Sequence, residues 1–73
     1  MALPENALTQ AERHVREGEK RVARQISIIE ELDRDNHPEA AARARAMLET
    51  LRETLELARA HVQRARETRG LGG

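Results

Sequence analysis

Four groups of residues in this sequence have types and spacings that could do chemistry. The stretch Asp33-Arg34-Asp35-Asn36-His37-Pro38-Glu39 packs carboxylates, an amide and an imidazole into seven positions. His14 and His61 are imidazoles that could begin a zinc or nickel site, which needs three or four ligands in all. Arg13, Arg16, Lys20, Arg21 and Arg24 form the most basic run and could contact nucleic-acid phosphates or an acidic protein. Ser27, Thr50 and Thr54 are hydroxyls that would need a neighbouring histidine and acid to become nucleophiles.

Each group meets a plainer explanation. No carboxylate is placed to complete a metal set with the two histidines, because Glu17, one turn from His14, projects more toward solvent. Glu12, Glu17 and Glu19 interleave the basic run, and the chain has no aromatic residue on which a base could stack. A solvated helix face accounts for that run better. The hydroxyls have no histidine and acid beside them, and no glycine-rich phosphate loop is present, so the sequence argues against an enzyme. It calls for no cofactor. The terminal Arg69-Gly70-Leu71-Gly72-Gly73 resembles the diglycine tail of ubiquitin-like modifiers only weakly, since the rest of the chain lacks a strand pattern.

The elements that must position these residues follow from composition. Seventy-three residues make one small domain whose core is marginal unless something helps hold it. Without Phe, Tyr or Trp, burial must come from many Leu, Ile, Val and Ala residues, which long aligned helices bury best. Cysteine is absent, which excludes disulfides and thiol chemistry and suits a reducing, cytoplasmic setting. The first residues show no basic and apolar leader pattern, and no apolar run approaches a membrane span, so no membrane role is expected. Thirteen basic and thirteen acidic residues cancel, which argues against a protein whose main task is coating nucleic acid.

Glycine and proline divide the chain into two helical segments. The spacing predicts a first helix over about 5–35, a turn at 36–37 and a second helix over about 38–69, with 70–73 as a flexible tail beyond the terminator Gly70. Pro4 or Thr9 would begin the first helix, Pro4 as its first residue or Thr9 through the capping box Thr9-Gln10-Ala11-Glu12. In the first segment Leu8, Val15, Val22 and Ile29 share one heptad position, and Ala11, Gly18, Gln25 and Leu32 the other. In the second, Ala41, Leu48, Leu55 and Val62 alternate with Ala44, Leu51, Ala58 and Ala65. Each helix would be about 45 Å long.

Folding the chain at its break sets Leu8 against Ala65, Val15 against Ala58, Val22 against Leu51 and Ile29 against Ala44. In alternate layers Ala11 meets Val62, Gly18 meets Leu55, Gln25 meets Leu48 and Leu32 meets Ala41. All of these pairs share one midpoint, between Asn36 and His37, so pattern and break agree. Most layers oppose a large residue to a small one, which permits close approach. On one flank Glu5, Glu12 and Glu19 face Arg66, Arg59 and Arg52, opposed charges that select the direction of the partner helix. On the other flank Ile28 lies near Met47 and His14 near His61. Gln25 is a polar residue in a core layer, suited to fixing register. The corner Asp33-Glu39 thereby reads as a turn, with Asn36 as the left-handed residue that ends the first helix.

A two-helix contact leaves half of every seam residue wet, and Ile26, Ile28, Leu32 and Met47 widen the apolar stripe near the turn. The expected architecture is therefore all-α: an antiparallel, coiled-coil-like hairpin that dimerises into a four-helix bundle through those four residues. The functional expectation is a non-enzymatic adaptor or regulator that binds itself and another protein. The alternatives are a nucleic-acid-associated regulator using Arg13, Arg16, Lys20 and Arg24, and a metal-binding protein using His14 and His61.

Three stretches, AERHVREGEKRVARQ, IIEELDRDNH and AMLETLRETLELARAHVQR, resemble a group of short bacterial proteins built as helical hairpins, chiefly alphaproteobacterial. The resemblance runs from about Ala11 to Arg66. Members of the group often carry Asp-Gly-His-Asp at the corner, where this chain has Asp35-Asn36-His37-Pro38; Asn shares with Gly a tolerance of the left-handed conformation. The resemblance implies a cytoplasmic bacterial hairpin. It implies no activity and no functional residues.

Overall fold

A computed structural model of the chain describes residues 6–72, and the side chains of residues 6–68. Two helices make up the fold, α1 over Ala7–Arg34 and α2 over Pro38–Gly72, packed along their length as an antiparallel hairpin. The molecule measures 54 × 28 × 12 Å. Its thinnest dimension is about one helix diameter, so the fold is a single layer of two helices.

The start of α1 falls between the two expected positions. Asn6 is the N-cap, its Oδ1 accepting the Thr9 backbone N–H at 2.7 Å, while its carbonyl accepts from the Gln10 N–H at 3.1 Å. Asn is among the strongest capping residues, so it takes the role and leaves Thr9 inside the first turn as the donor of the capping bond. Pro4, the other expected start, lies outside the described residues.

At the corner, α1 ends in a Schellman motif. The Asn36 N–H donates to Asp33 O at 3.2 Å and the His37 N–H to Leu32 O at 2.9 Å, which uses two carbonyls that the helix end would otherwise leave open. That geometry requires a left-handed residue after the cap, and Asn36 supplies it with φ 59°. His37 then caps α2, its carbonyl accepting the Ala41 N–H at 2.9 Å. Pro38 follows as the first helical residue, where its missing N–H costs nothing, and Glu39 sits where the helix dipole favours a negative charge. Asn36→Gly is expected to melt like the wild type, whereas Asn36→Val loses about 1–2 kcal/mol because a β-branched side chain resists positive φ. Equal melting of the two variants would contradict the left-handed corner.

Every buried residue of the described chain sits on the heptad seam: Ala11, Ile29, Ala41, Ala44, Leu48, Leu55 and Val62. Ile29, Ala44 and Leu48 form a cluster near the turn, against which Val22, Ile26 and Leu32 pack. Farther down, a Cβ built on Gly18 would lie 3.0 Å from Leu55 Cδ1, so the expected Gly18–Leu55 layer brings the helices as close as the leucine allows. Gln25 donates its Nε2 to the Ala44 carbonyl at 2.9 Å. Because α2 carbonyls point toward the C-terminus of that helix, this oxygen lies near the height of Leu48, the residue expected opposite Gln25.

The end of α2 departs from expectation. The helix continues through Gly72, past 69, where a flexible tail was expected to begin. Glycine permits a left-handed terminator without compelling one, and no described glycine has positive φ.

Candidate interaction surface

The two flanks of the seam have different chemistry. On the first, Arg66 pairs with Glu12 at 3.6 Å and Arg59 with Glu19 at 3.5 Å, and Arg45 pairs with Asp33 near the turn. The sequence set Glu12 against Arg59 and Glu19 against Arg52; the observed ladder is one heptad farther along α2. The reason is the lean of helical side chains toward the N-terminus of their own helix. In an antiparallel pair the two leans run in opposite directions. Partners therefore meet when each starts closer to the C-terminal end of its helix than the core layers would suggest. Glu5, the expected partner of Arg66, lies outside the described residues. These side chains are about half exposed, so each pair contributes roughly 0.2–1 kcal/mol and serves direction more than stability.

The four expected interface residues fall in the seam and on its flanks, where their heptad positions place them. Ile26 lies on the charged flank, lining a shallow groove with Arg45, Arg52 and Glu49. Leu32 is a seam residue, half-buried against the Ile29, Ala44 and Leu48 cluster, and Ile26 packs on that cluster too. Ile28 and Met47 belong by heptad position to the opposite flank, with Ile28 half-buried and Met47 52% exposed.

An apolar residue more exposed than Met47 lies outside the expected interface. Leu57 is 71% exposed and lines a shallow apolar groove with Arg52, Glu53 and Glu56. The sequence did hold the signal: Leu57 lies off both seam positions of α2, on the stripe that also carries Met47.

The other candidates are distributed over the surface. Arg13, Arg16, Lys20 and Arg24 are exposed on α1, with Arg13 Nε 3.8 Å from Glu17 Oε1. His14 and His61 are both exposed, and His61 lines a groove with Leu8, Arg64 and Ala65 at the open end of the hairpin. Among the described residues no group of three or more His, Cys, Asp or Glu side chains is placed to hold a metal ion. Ser27 is exposed, and the hydroxyls of Thr50 and Thr54 donate to carbonyls of their own helix, Ala46 and Thr50. His37 lines an open groove at the corner with Asn36, Pro38, Glu39 and Arg43, and its backbone does the capping described above. No described helix is long and apolar enough to cross a membrane. No protein-family model, curated protein or solved structure matches the chain.

Proposed function

We propose that this chain is a non-enzymatic protein-interaction module: a helical hairpin that associates with a second copy into an antiparallel four-helix bundle and serves as an adaptor or regulator of another protein. One observation carries the reading. The hairpin is a single layer 12 Å thick whose seam is only partly covered, with Leu8, Val15, Val22 and Leu51 only partly buried among the residues that should form its core. Stable domains pack at least two layers around a core, and a lone pair of helices of this length gains too little from burial to hold firmly. A second hairpin supplies the missing layer. The surfaces the bundle leaves outward, rich in both signs of charge, are then available to a different partner. Cysteine-free composition suits a reducing cytoplasm, and the bacterial hairpin group that the sequence resembles has the same two-helix form.

Light scattering across a dilution series, with circular dichroism on the same samples, tests the assembly. A dimer mass at high concentration, with helicity lost as the mass falls, is the expected result. A monomer that stays fully helical when dilute removes the basis of the proposal. Retention on nucleic acid that weakens steeply with salt would transfer the assignment to the basic face of α1.

A further inference from the structure

The outer edge of α2 carries a second seam. Met47, Thr50, Thr54 and Leu57 follow one another at spacings of three, four and three, which places them on one stripe of the helix. From Ala40 to Thr68 that stripe contains no carboxylate, in a chain with thirteen of them. Its two large apolar residues, Met47 and Leu57, are the exposed large hydrophobics among the described residues, and Arg43, His61 and Arg64 lie on the same stripe beyond them. Between them the threonines turn their hydroxyls inward: Thr54 Oγ1 donates to Thr50 O at 3.0 Å and Thr50 Oγ1 to Ala46 O at 3.5 Å. With the donors bonded inside the helix, the stripe can be buried without leaving them unsatisfied. Leu51 and Ala58, half-buried members of the inner seam, border it.

Resting on the self-association proposed above, we infer that a second copy of this chain docks along this stripe, α2 antiparallel to α2, about a two-fold axis between Thr50 and Thr54. Met47 of each copy then meets Leu57 of the other, and Thr50 meets Thr54. The stripe is self-complementary because its spacing reads the same in both directions, with large residues at its ends and small ones at the axis, where the helices approach closest. A parallel arrangement would instead stack Arg43 on Arg43 and Arg64 on Arg64. The same axis lays α1 beside the second copy's α1, with Glu17 of one at the height of Arg24 of the other, an opposed pair in both directions. Arg21 falls near the axis and extends its head to solvent past the interface.

The chain presents 5950 Å² to solvent, about 1,300 Å² more than a compact monomer of its 8.3 kDa mass, so the elongated hairpin has surface that a second copy could cover.

The absence of cysteine makes the test direct. Met47→Cys and Leu57→Cys are purified separately, mixed in equal amounts, annealed and oxidised. The mixture is expected to give roughly tenfold more disulfide-linked dimer on a non-reducing gel than either variant alone, since only unlike positions come within about 7 Å across the axis. Linked dimer that forms as well from one variant alone, or a dimer mass without cross-linking in the mixture, overturns this interface and leaves self-association standing. A monomer mass for the wild type at every concentration overturns both. As a second readout, Leu57→Glu weakens dimerisation by roughly tenfold or more in the dilution series; an unchanged dimer excludes the stripe.

Discussion

Leu48→Ala lowers the melting midpoint of this protein by about 10–30 °C. Leu48 is one of the three buried members of the cluster near the turn, with Ile29 and Ala44, and is 8% exposed. Truncating it removes the apolar contact that Val22, Ile26 and Leu32 pack around, and the single layer has no second shell of side chains that could collapse into the space. Large-to-small changes at such positions cost about 2–5 kcal/mol. In a domain this small that is most of the available stability. The comparison that gives the number meaning is Leu51→Ala at the same protein concentration. Leu51 occupies the same seam but is only partly buried, so less apolar surface is returned to water and the loss is smaller. Thermal melts followed by circular dichroism measure both, and a Leu51 variant as damaged as the Leu48 variant would mean that the cluster is not where the stability lies.

The second large effect is at the closest approach of the helices. Gly18→Leu destabilises because the added side chain begins with a Cβ only 3.0 Å from Leu55 Cδ1 and has no room to continue. Leu55 must leave its buried position or the helices must separate, and overpacking of this kind costs about 1–3 kcal/mol. Removing a glycine from a helix interior returns up to about 1 kcal/mol, which offsets part of it. Gly18→Ala, by contrast, asks only for a small movement of the flexible end of Leu55 and keeps the propensity gain, so it melts at or above the wild-type temperature. The pair Gly18→Leu with Leu55→Ala exchanges large for small within one layer. It is expected to recover much of the loss, and the non-additivity in a double-mutant cycle reports the contact directly. Additive losses would show that the two residues do not share a layer.

These two positions mark how far the sequence could be read. The seam was legible because heptad spacing is a one-dimensional record of which face of a helix is covered, and all seven buried residues lie on the positions it names. The corner was legible as well, since Asn followed by His and Pro has local chemistry that ends one helix and opens another. The ladder of ion pairs was displaced by a heptad, because spacing records where Cα atoms lie and long side chains lean away from them. The first turn went to Asn6 rather than to Thr9, a competition between neighbouring caps that only the hydrogen bond to Thr9 resolves.

The candidate interaction surface was the least legible part. The heptad register already sets Ile26, Ile28, Leu32 and Met47 on the seam and both of its flanks; what it does not contain is how much of each stays exposed, with Met47 exposed and the other three partly buried. Leu57 has a periodic signal in its 3-4-3 spacing from Met47 through Thr50 and Thr54, but the two threonines between the apolar ends hide it in a count of apolar residues. The threonines became part of an apolar stripe only when their hydroxyls were found bonded to their own helix. By itself the sequence determined two helices, their direction and the layers between them, all of which follow from periodicity and local turn chemistry. Only the tertiary structure decided which apolar side chains the hairpin uses up and which remain exposed, because burial depends on helix rotation and side-chain lean, two quantities that residue spacing does not contain.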